Sequence, residues 1–268
     1  MVWRVPGSNT ADETPGSTRP LPLSRQQSRR RRYAKRAVIT LVSILLVGAL
    51  AVGVLFAVTP SAGQATKLAR AQASSHGIAY PGPAVPANFS RPLIATEDHR
   101  FYSEPGVDIF AVGRVVEGKI TGRPDQGGAT LEQQLAKLLY TPGRSGVLTE
   151  IEQVTLAVKL NLTYSKAEIL RLYAEVAYYG HGYYGLEAAS CGYFGHPASQ
   201  LTVVQGAMLA GVVNAPSADD PIDFPAQAHA RLAHVISRMV AVGDLTQAQG
   251  AAATSSSLGI VPRPDAGC

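Results

Sequence analysis

The sequence predicts a mostly α domain carried on a single N-terminal transmembrane helix. Three observations predict it. A run of 23 residues without charge, 37–59, follows a block of basic residues. Ser/Thr-x-x-Glu/Gln signatures recur ahead of apolar residues at helical spacing. The strict alternation that marks strands is nearly absent.

The elements follow in order. Residues 1–28 are rich in Pro, Ser, Thr, Gly and Arg with little apolar periodicity. With Arg29, Arg30, Arg31, Arg32, Lys35 and Arg36 they read as a disordered, basic cytoplasmic tail, 1–36. A membrane-spanning helix needs roughly 20 apolar residues, whereas a signal-peptide core has roughly 7–15. Residues 37–59 therefore read as an uncleaved transmembrane helix, with a long cleaved signal peptide ending near Ser61-Ala62-Gly63 as the alternative. The basic block predicts a single-pass topology, N-terminus inside and the main domain outside the cytoplasmic membrane. It also suits anionic lipid headgroups.

Charge divides at the same place. Residues 1–59 hold nine Lys/Arg and two Asp/Glu, a balance of +7, and the remainder balances at −2. The basic pI of about 9.3 thus belongs to the tail, and no nucleic-acid partner is expected of the main domain.

Residues 60–90, with Tyr80-Pro81-Gly82-Pro83, read as a Pro/Gly/Ser-rich stalk. The folded domain is expected over 91–250. Capping boxes at Thr130/Gln133, Thr149/Glu152 and Ser165/Glu168 predict three of its helices. Two more are expected near 202–213, stopping before Asn214-Ala215-Pro216, and near 225–242, ending at Gly243. Residues 251–268 read as a flexible C-terminal tail. The two cysteines, Cys191 and Cys268, are read as a buried thiol and a tail thiol, with a disulfide permitted outside the membrane. The six histidines are scattered without metal-ligand spacing, so no metal ligand is assigned.

Two stretches carry chemistry. In the first, Glu97 and Asp98 precede Arg100, Phe101 and Tyr102, and Pro105-Gly106-Val107-Asp108 makes a turn. Adjacent acids at a helix end are commonly caps, but a carboxylate beside aromatic rings can also be tuned as a general base. In the second, Gly127-Gly128 allows close backbone approach and Thr130 caps a helix whose N-terminus favours an anion. Gln133, Gln134 and Lys137 follow within about a turn, Gln133 and Lys137 on one face.

Together these stretches resemble the first two signature motifs of the family 51 glycosyltransferases, the peptidoglycan polymerases found alone or fused to penicillin-binding transpeptidases. The first motif stands as EDHRFYSEPGVD, residues 97–108, and the second as GGATLEQQLAK, residues 127–137. Tyr164-Ser165-Lys166, Tyr178-Tyr179-Gly180-His181-Gly182, Tyr193-Phe194-Gly195 and Ala215-Pro216-Ser217 match further segments, so the similarity covers about 90–245. The resemblance implies a bacterial enzyme with a lysozyme-like glycosyltransferase domain, in its monofunctional form, that polymerises lipid II into glycan strands. In that reading Glu97 deprotonates the acceptor hydroxyl, Lys137 stabilises the departing pyrophosphate, and Asp98, Arg100, Phe101, Thr130, Gln133 and Gln134 bind substrate. A divalent cation, Mg2+ or Mn2+, is implied, and no organic cofactor. The nascent glycan strand, the membrane and cell-wall synthases or transpeptidases are the implied partners.

The chain departs from the family at several positions. The third-motif glutamate falls on Gln153, with Glu152 beside it as a candidate replacement, and Glu104 and Ala129 stand where the family has histidine and serine. Two rivals follow: a catalytically impaired pseudoenzyme that binds lipid II or a synthase, and a glycan hydrolase on the same fold. No Ser-x-x-Lys followed by Lys-Thr-Gly occurs, which predicts no reaction with β-lactams.

Overall fold

A computed structural model of the protein describes residues 2–3, 23–108, 129–261 and 268. Residues up to Val54 and from Leu55 onward form two units. In the first, helix α1 (Leu23–Val58) holds a segment long and apolar enough to cross a membrane. Its Val, Ile and Leu side chains between residues 38 and 54 are exposed, as a lipid-facing helix requires. The basic block at 29–36 is helical, which corrects its reading as disordered. Arg, Lys and Gln are good helix formers, and the apolar run lets the helix propagate back through them.

Every described element of the second unit is helical, and the strand-like pairing among the described residues is a single bridge between Tyr178 and Tyr184. Residues 60–90 are not a stalk. They contain a 3-10 turn, Ala62–Gln64, and α2 (Ala65–Ser75). Ala62, Ala65, Ala69 and Ala73 are buried. Alanines four apart make a flat stripe, and α2 packs by it onto α6 (Lys166–Val176). The Tyr140 and Tyr164 hydroxyls donate to the Ala62 carbonyl at 3.0 and 3.3 Å, and Lys159 Nζ donates to the Thr59 carbonyl at 2.9 Å.

Helix α3 (Ala87–Glu97) begins before Pro92 and carries it inside. Proline has no N–H, so the Asn88 carbonyl four residues back loses its helical partner. Gly206 of α8 (Val203–Val212) fills that gap: a Cβ there would lie 1.8 Å from the Asn88 oxygen. The two helices thereby pack closely with α9 (Pro225–Val242), around Ala95, Ala207, Met208, Leu232, Val235 and Ile236. This clamp fixes the end of α3, where Glu97 sits.

The larger core gathers Phe89, Phe101, Leu131, Leu135, Leu156, Ile169 and Tyr173, all buried, each worth about 1.5–3 kcal/mol of apolar transfer. It holds α4 (Leu131–Tyr140) against α5 (Val147–Thr163) and α6. The Thr130/Gln133 and Ser165/Glu168 capping boxes form. The one expected at Thr149 does not: Gly146, at φ +106, caps α5 three residues earlier, and the Thr149 hydroxyl donates to the Ser145 carbonyl instead.

Helices α7 (Leu186–Phe194) and α10 (Gln247–Ser255) complete the unit. Residues 251–261 are packed rather than a loose tail. Ala253 and Leu258 are buried, and the Val261 amide donates to the Tyr193 carbonyl at 2.7 Å. Cys191 and Cys268 form a disulfide, which corrects their reading as two thiols.

Candidate active site

Glu97 is the last residue of α3, its side chain 8% exposed. Three side chains from three other segments donate to its carboxylate. Arg231 Nη2 of α9 reaches Oε1 at 2.7 Å, Gln134 Nε2 of α4 reaches Oε2 at 3.1 Å, and Asn214 Nδ2 lies 3.3 and 3.4 Å from the two oxygens. The Gln134 amide is oriented in turn, because its oxygen accepts the Tyr173 hydroxyl at 2.8 Å. Burial, reinforced by the Glu97 charge, pushes the Tyr173 phenol up, so it stays a donor.

Asp98, Thr130 and Gln133 join the two motifs into one junction. Asp98 Oδ2 accepts the Leu131 amide at 3.0 Å, and the Thr130 hydroxyl donates to the Gly106 carbonyl at 2.9 Å. Gln133 accepts the Thr130 amide at 3.0 Å. Gly106 has φ +85 and lies so close to α5 that a Cβ would meet the Ala157 carbonyl at 2.7 Å. Asp98 and Thr130 are thus buried parts of the frame around Glu97, and Phe101 is wholly buried with the Lys166 ammonium 4.5 Å from its ring centre. Arg100 pairs with Asp108. Lys137 is exposed on α4. Gly127 and Gly128 lie outside the described residues.

Neither third-motif candidate hydrogen-bonds Glu97. Glu152 pairs with Arg144 at 2.8 Å, and Gln153 Nε2 donates to the buried Thr141 hydroxyl at 2.7 Å.

Beneath the junction Asp98, Glu104 and Glu132 bring carboxylate oxygens within 4.8 Å of one another. Burial, then the Asp98 charge, pushes Glu104 up to about 8. Burial also raises Asp98 and Glu132, against the pull of Lys166, whose Nζ lies 2.6 Å from Glu132 Oε1. Three carboxylates have the chemistry for a divalent cation, but all three are buried and an ammonium already holds one side. A cation there would be enclosed by protein, with no coordination position open to a substrate.

Sequence reasoning missed Tyr173, Asn214 and Arg231. Asn214 was read only as a helix stop, and Arg231 has no local motif around it.

The profile of the transglycosylase family matches residues 64–240. Penicillin-binding protein 1A of Mycobacterium tuberculosis is 38% identical over 160 residues, covering 58% of this chain and 20% of its own. Penicillin-binding protein 1F of Bacillus subtilis is 36% identical over 177 residues, covering 66% and 25%. A candidate transglycosylase of Cupriavidus necator is 32% identical over 165 residues, covering 62% and 71%. The chain therefore spans a fifth to a quarter of the length of these two penicillin-binding proteins, and most of the third relative. With the family profile covering about two thirds of its length, the chain belongs to the transglycosylase family.

Proposed function

We propose that this chain is a membrane-anchored peptidoglycan glycosyltransferase that polymerises lipid II outside the cytoplasmic membrane. The observation that carries this reading is Glu97, a nearly buried carboxylate held by Arg231, Gln134 and Asn214. A carboxylate with charged and amide donors is an anionic proton acceptor at a fixed place. It has about four lone-pair sites. The long Asn214 contacts are the weakest of those filled, so an acceptor sugar hydroxyl displaces them most readily.

In the reaction Glu97 takes the proton of that hydroxyl, and the oxygen bonds to C1 of the donor sugar with inversion. The bond from C1 to the phosphate oxygen breaks, and undecaprenyl pyrophosphate leaves with the electron pair. Lys137, exposed on α4 one helical turn beyond Gln133 and Gln134, supplies a cation for the leaving group. Val147, Leu148, Ile151 and Val154 form an exposed apolar face on α5, which suits a substrate delivered in lipid. Nascent glycan and neighbouring transpeptidases are the partners this activity needs.

One observation favours a second reading, a pseudoenzyme that binds lipid II or a synthase without turnover. By the resemblance the third-motif carboxylate falls on Gln153, which donates to the Thr141 hydroxyl, and the neighbouring Glu152 is engaged by Arg144. Labelled lipid II incubated with the purified protein in detergent with Mg2+ or Mn2+, beside Glu97→Gln, separates the two. Polymer that disappears in the variant supports the enzyme; bound lipid II without polymer supports the pseudoenzyme; neither binding nor polymer sinks both.

A further inference from the structure

The 77–85 segment, α6 and the first turns of α7 enclose a cavity of about 330 Å³. Glu97, Gln134, Asn214 and Arg231 take no part in its lining, so it lies apart from the candidate active site. Its volume falls at the lower end of ligand pockets, about 300–1,000 Å³. It far exceeds the roughly 10–15 Å³ that one water needs. Most of the wall is apolar, with Ile78, Pro83, Val85, Ala174 and Leu186 in it, and both cysteines of the Cys191–Cys268 disulfide belong to it.

Glu175 of α6 gives this apolar cavity a specific chemistry. Its side chain is 7% exposed and stands in the wall. The Gly82 amide and Arg171 Nη1 both donate to Oε1, at 2.6 and 3.2 Å. Oε2 is buried and has no hydrogen-bond partner, a costly arrangement for a carboxylate. Gly82 allows the close approach, since a Cβ there would meet Glu175 Cγ at 3.2 Å. Glu187 is also in the wall, its Oε2 accepting the Ala198 amide at 2.9 Å. Two carboxylates against the single Arg171 guanidinium leave the wall negative. Burial raises the Glu175 carboxyl against the pull of the Gly82 amide and Arg171, and a cation beside it would hold it ionised.

We propose that this cavity binds a small amphipathic amine, its ammonium paired with the Glu175 carboxylate and its apolar body against Ile78, Val85 and Leu186. An ammonium supplies the donor that Oε2 lacks and the positive charge that the wall lacks. The last torsion of a glutamate is soft, so a modest rotation turns Oε2 to the ligand. A bare metal ion fits poorly, because hard cations require six or more oxygen ligands and this wall is mostly hydrocarbon. The same helix carries Tyr173, whose hydroxyl holds the Gln134 amide that donates to Glu97. The occupant therefore rests on a support of the cleft and does not enter it. A neutral Glu175 carboxyl beside ordered water is the competing account.

The test uses the full chain in detergent and para-fluorobenzylamine, followed by fluorine NMR with micelles alone as the blank. The para-fluorobenzyl alcohol and para-fluorobenzoate serve as the uncharged and anionic counterparts. Saturable binding of one equivalent of the amine is expected, with both counterparts at least about tenfold weaker. Glu175→Gln keeps the shape and removes the charge. It should weaken the amine by at least about tenfold and leave the alcohol unchanged. Ala84→Trp, at an exposed position in the wall, should fill the opening, abolish binding of the amine and melt with the wild type. No saturable binding of the amine, an alcohol bound as tightly, or amine binding unchanged in either variant would each overturn the site. None of these readouts depends on glycosyl transfer.

Discussion

The guanidinium of Arg231 lies 2.7 Å from the carboxylate of Glu97, across 134 residues of sequence. Both side chains are largely buried. Deleting one partner of such a pair strands the other charge at a cost of about 3–5 kcal/mol. Arg231→Ala should therefore lower the melting temperature, and, on the proposed function, lipid II turnover should fall by about 10²–10³, as for loss of one preorganised hydrogen-bond donor. Arg231→Lys, with charge but no fork, should recover part of both. Turnover unchanged in Arg231→Ala would remove this residue from the machinery.

Gly206→Ala tests the α3–α8 clamp. The added methyl would stand 1.8 Å from the Asn88 carbonyl, on backbone that α3 cannot shift without moving Glu97. Overpacking usually costs about 1–3 kcal/mol, and contact with backbone puts this case at the upper end or beyond. A drop in melting temperature of at least about 5 °C is expected from that range. A variant that melts with the wild type would show that the helices are not locked there.

These two contacts also mark where the sequence was legible and where it was not. The capping boxes at Thr130 and Ser165 could be read because three neighbouring residues contain the whole interaction. So could α9, with Pro225 at its start and Gly243 at φ +89 past its end. Helix α2 escaped notice because its buried face is alanine, which leaves no large apolar residue to reveal the period. Thr149 misled because a glycine three residues earlier caps the helix first. Glu97, Gln134 and Lys137 stand out through their motifs, whereas Tyr173, Asn214 and Arg231 contact Gln134 or Glu97 only through tertiary packing.

Glu104 should make stability depend on pH. Its carboxyl is raised from 4.5 to about 8 in the fold, mainly by burial. The folded chain therefore holds a proton that the unfolded chain has released between those values. Its contribution is complete below about pH 4.5 and is lost as the pH rises through 8. The protein should melt several degrees higher at the acid end of that window than at the alkaline end, and Glu104→Gln should flatten the slope. An unchanged slope in the variant would assign the effect to other groups.

Leu148 is 83% exposed on the apolar face of α5. If that face meets lipid, Leu148→Asp forfeits about 1.5–3 kcal/mol of apolar transfer. The apparent KM for lipid II in vesicles should rise by at least about tenfold, with little change in kcat. The melting temperature should hold, as for most surface substitutions. Equal KM values in the two proteins would separate α5 from substrate delivery.

The alanine stripe of α2 bears on how a soluble version of this protein should be cut. Removing everything before residue 90, the natural choice if 60–90 were a linker, would strip a helix from the core and bare the surface of α6 beneath it. Such a fragment should aggregate on expression. One starting at Ser61 keeps Ala62, Ala65, Ala69 and Ala73 in their groove and gives up the long apolar helix together with the Lys159 contacts to the Thr59 and Pro60 carbonyls and the Phe56 ring. The boundary of the folding unit thus lies about 36 residues before the first signature motif.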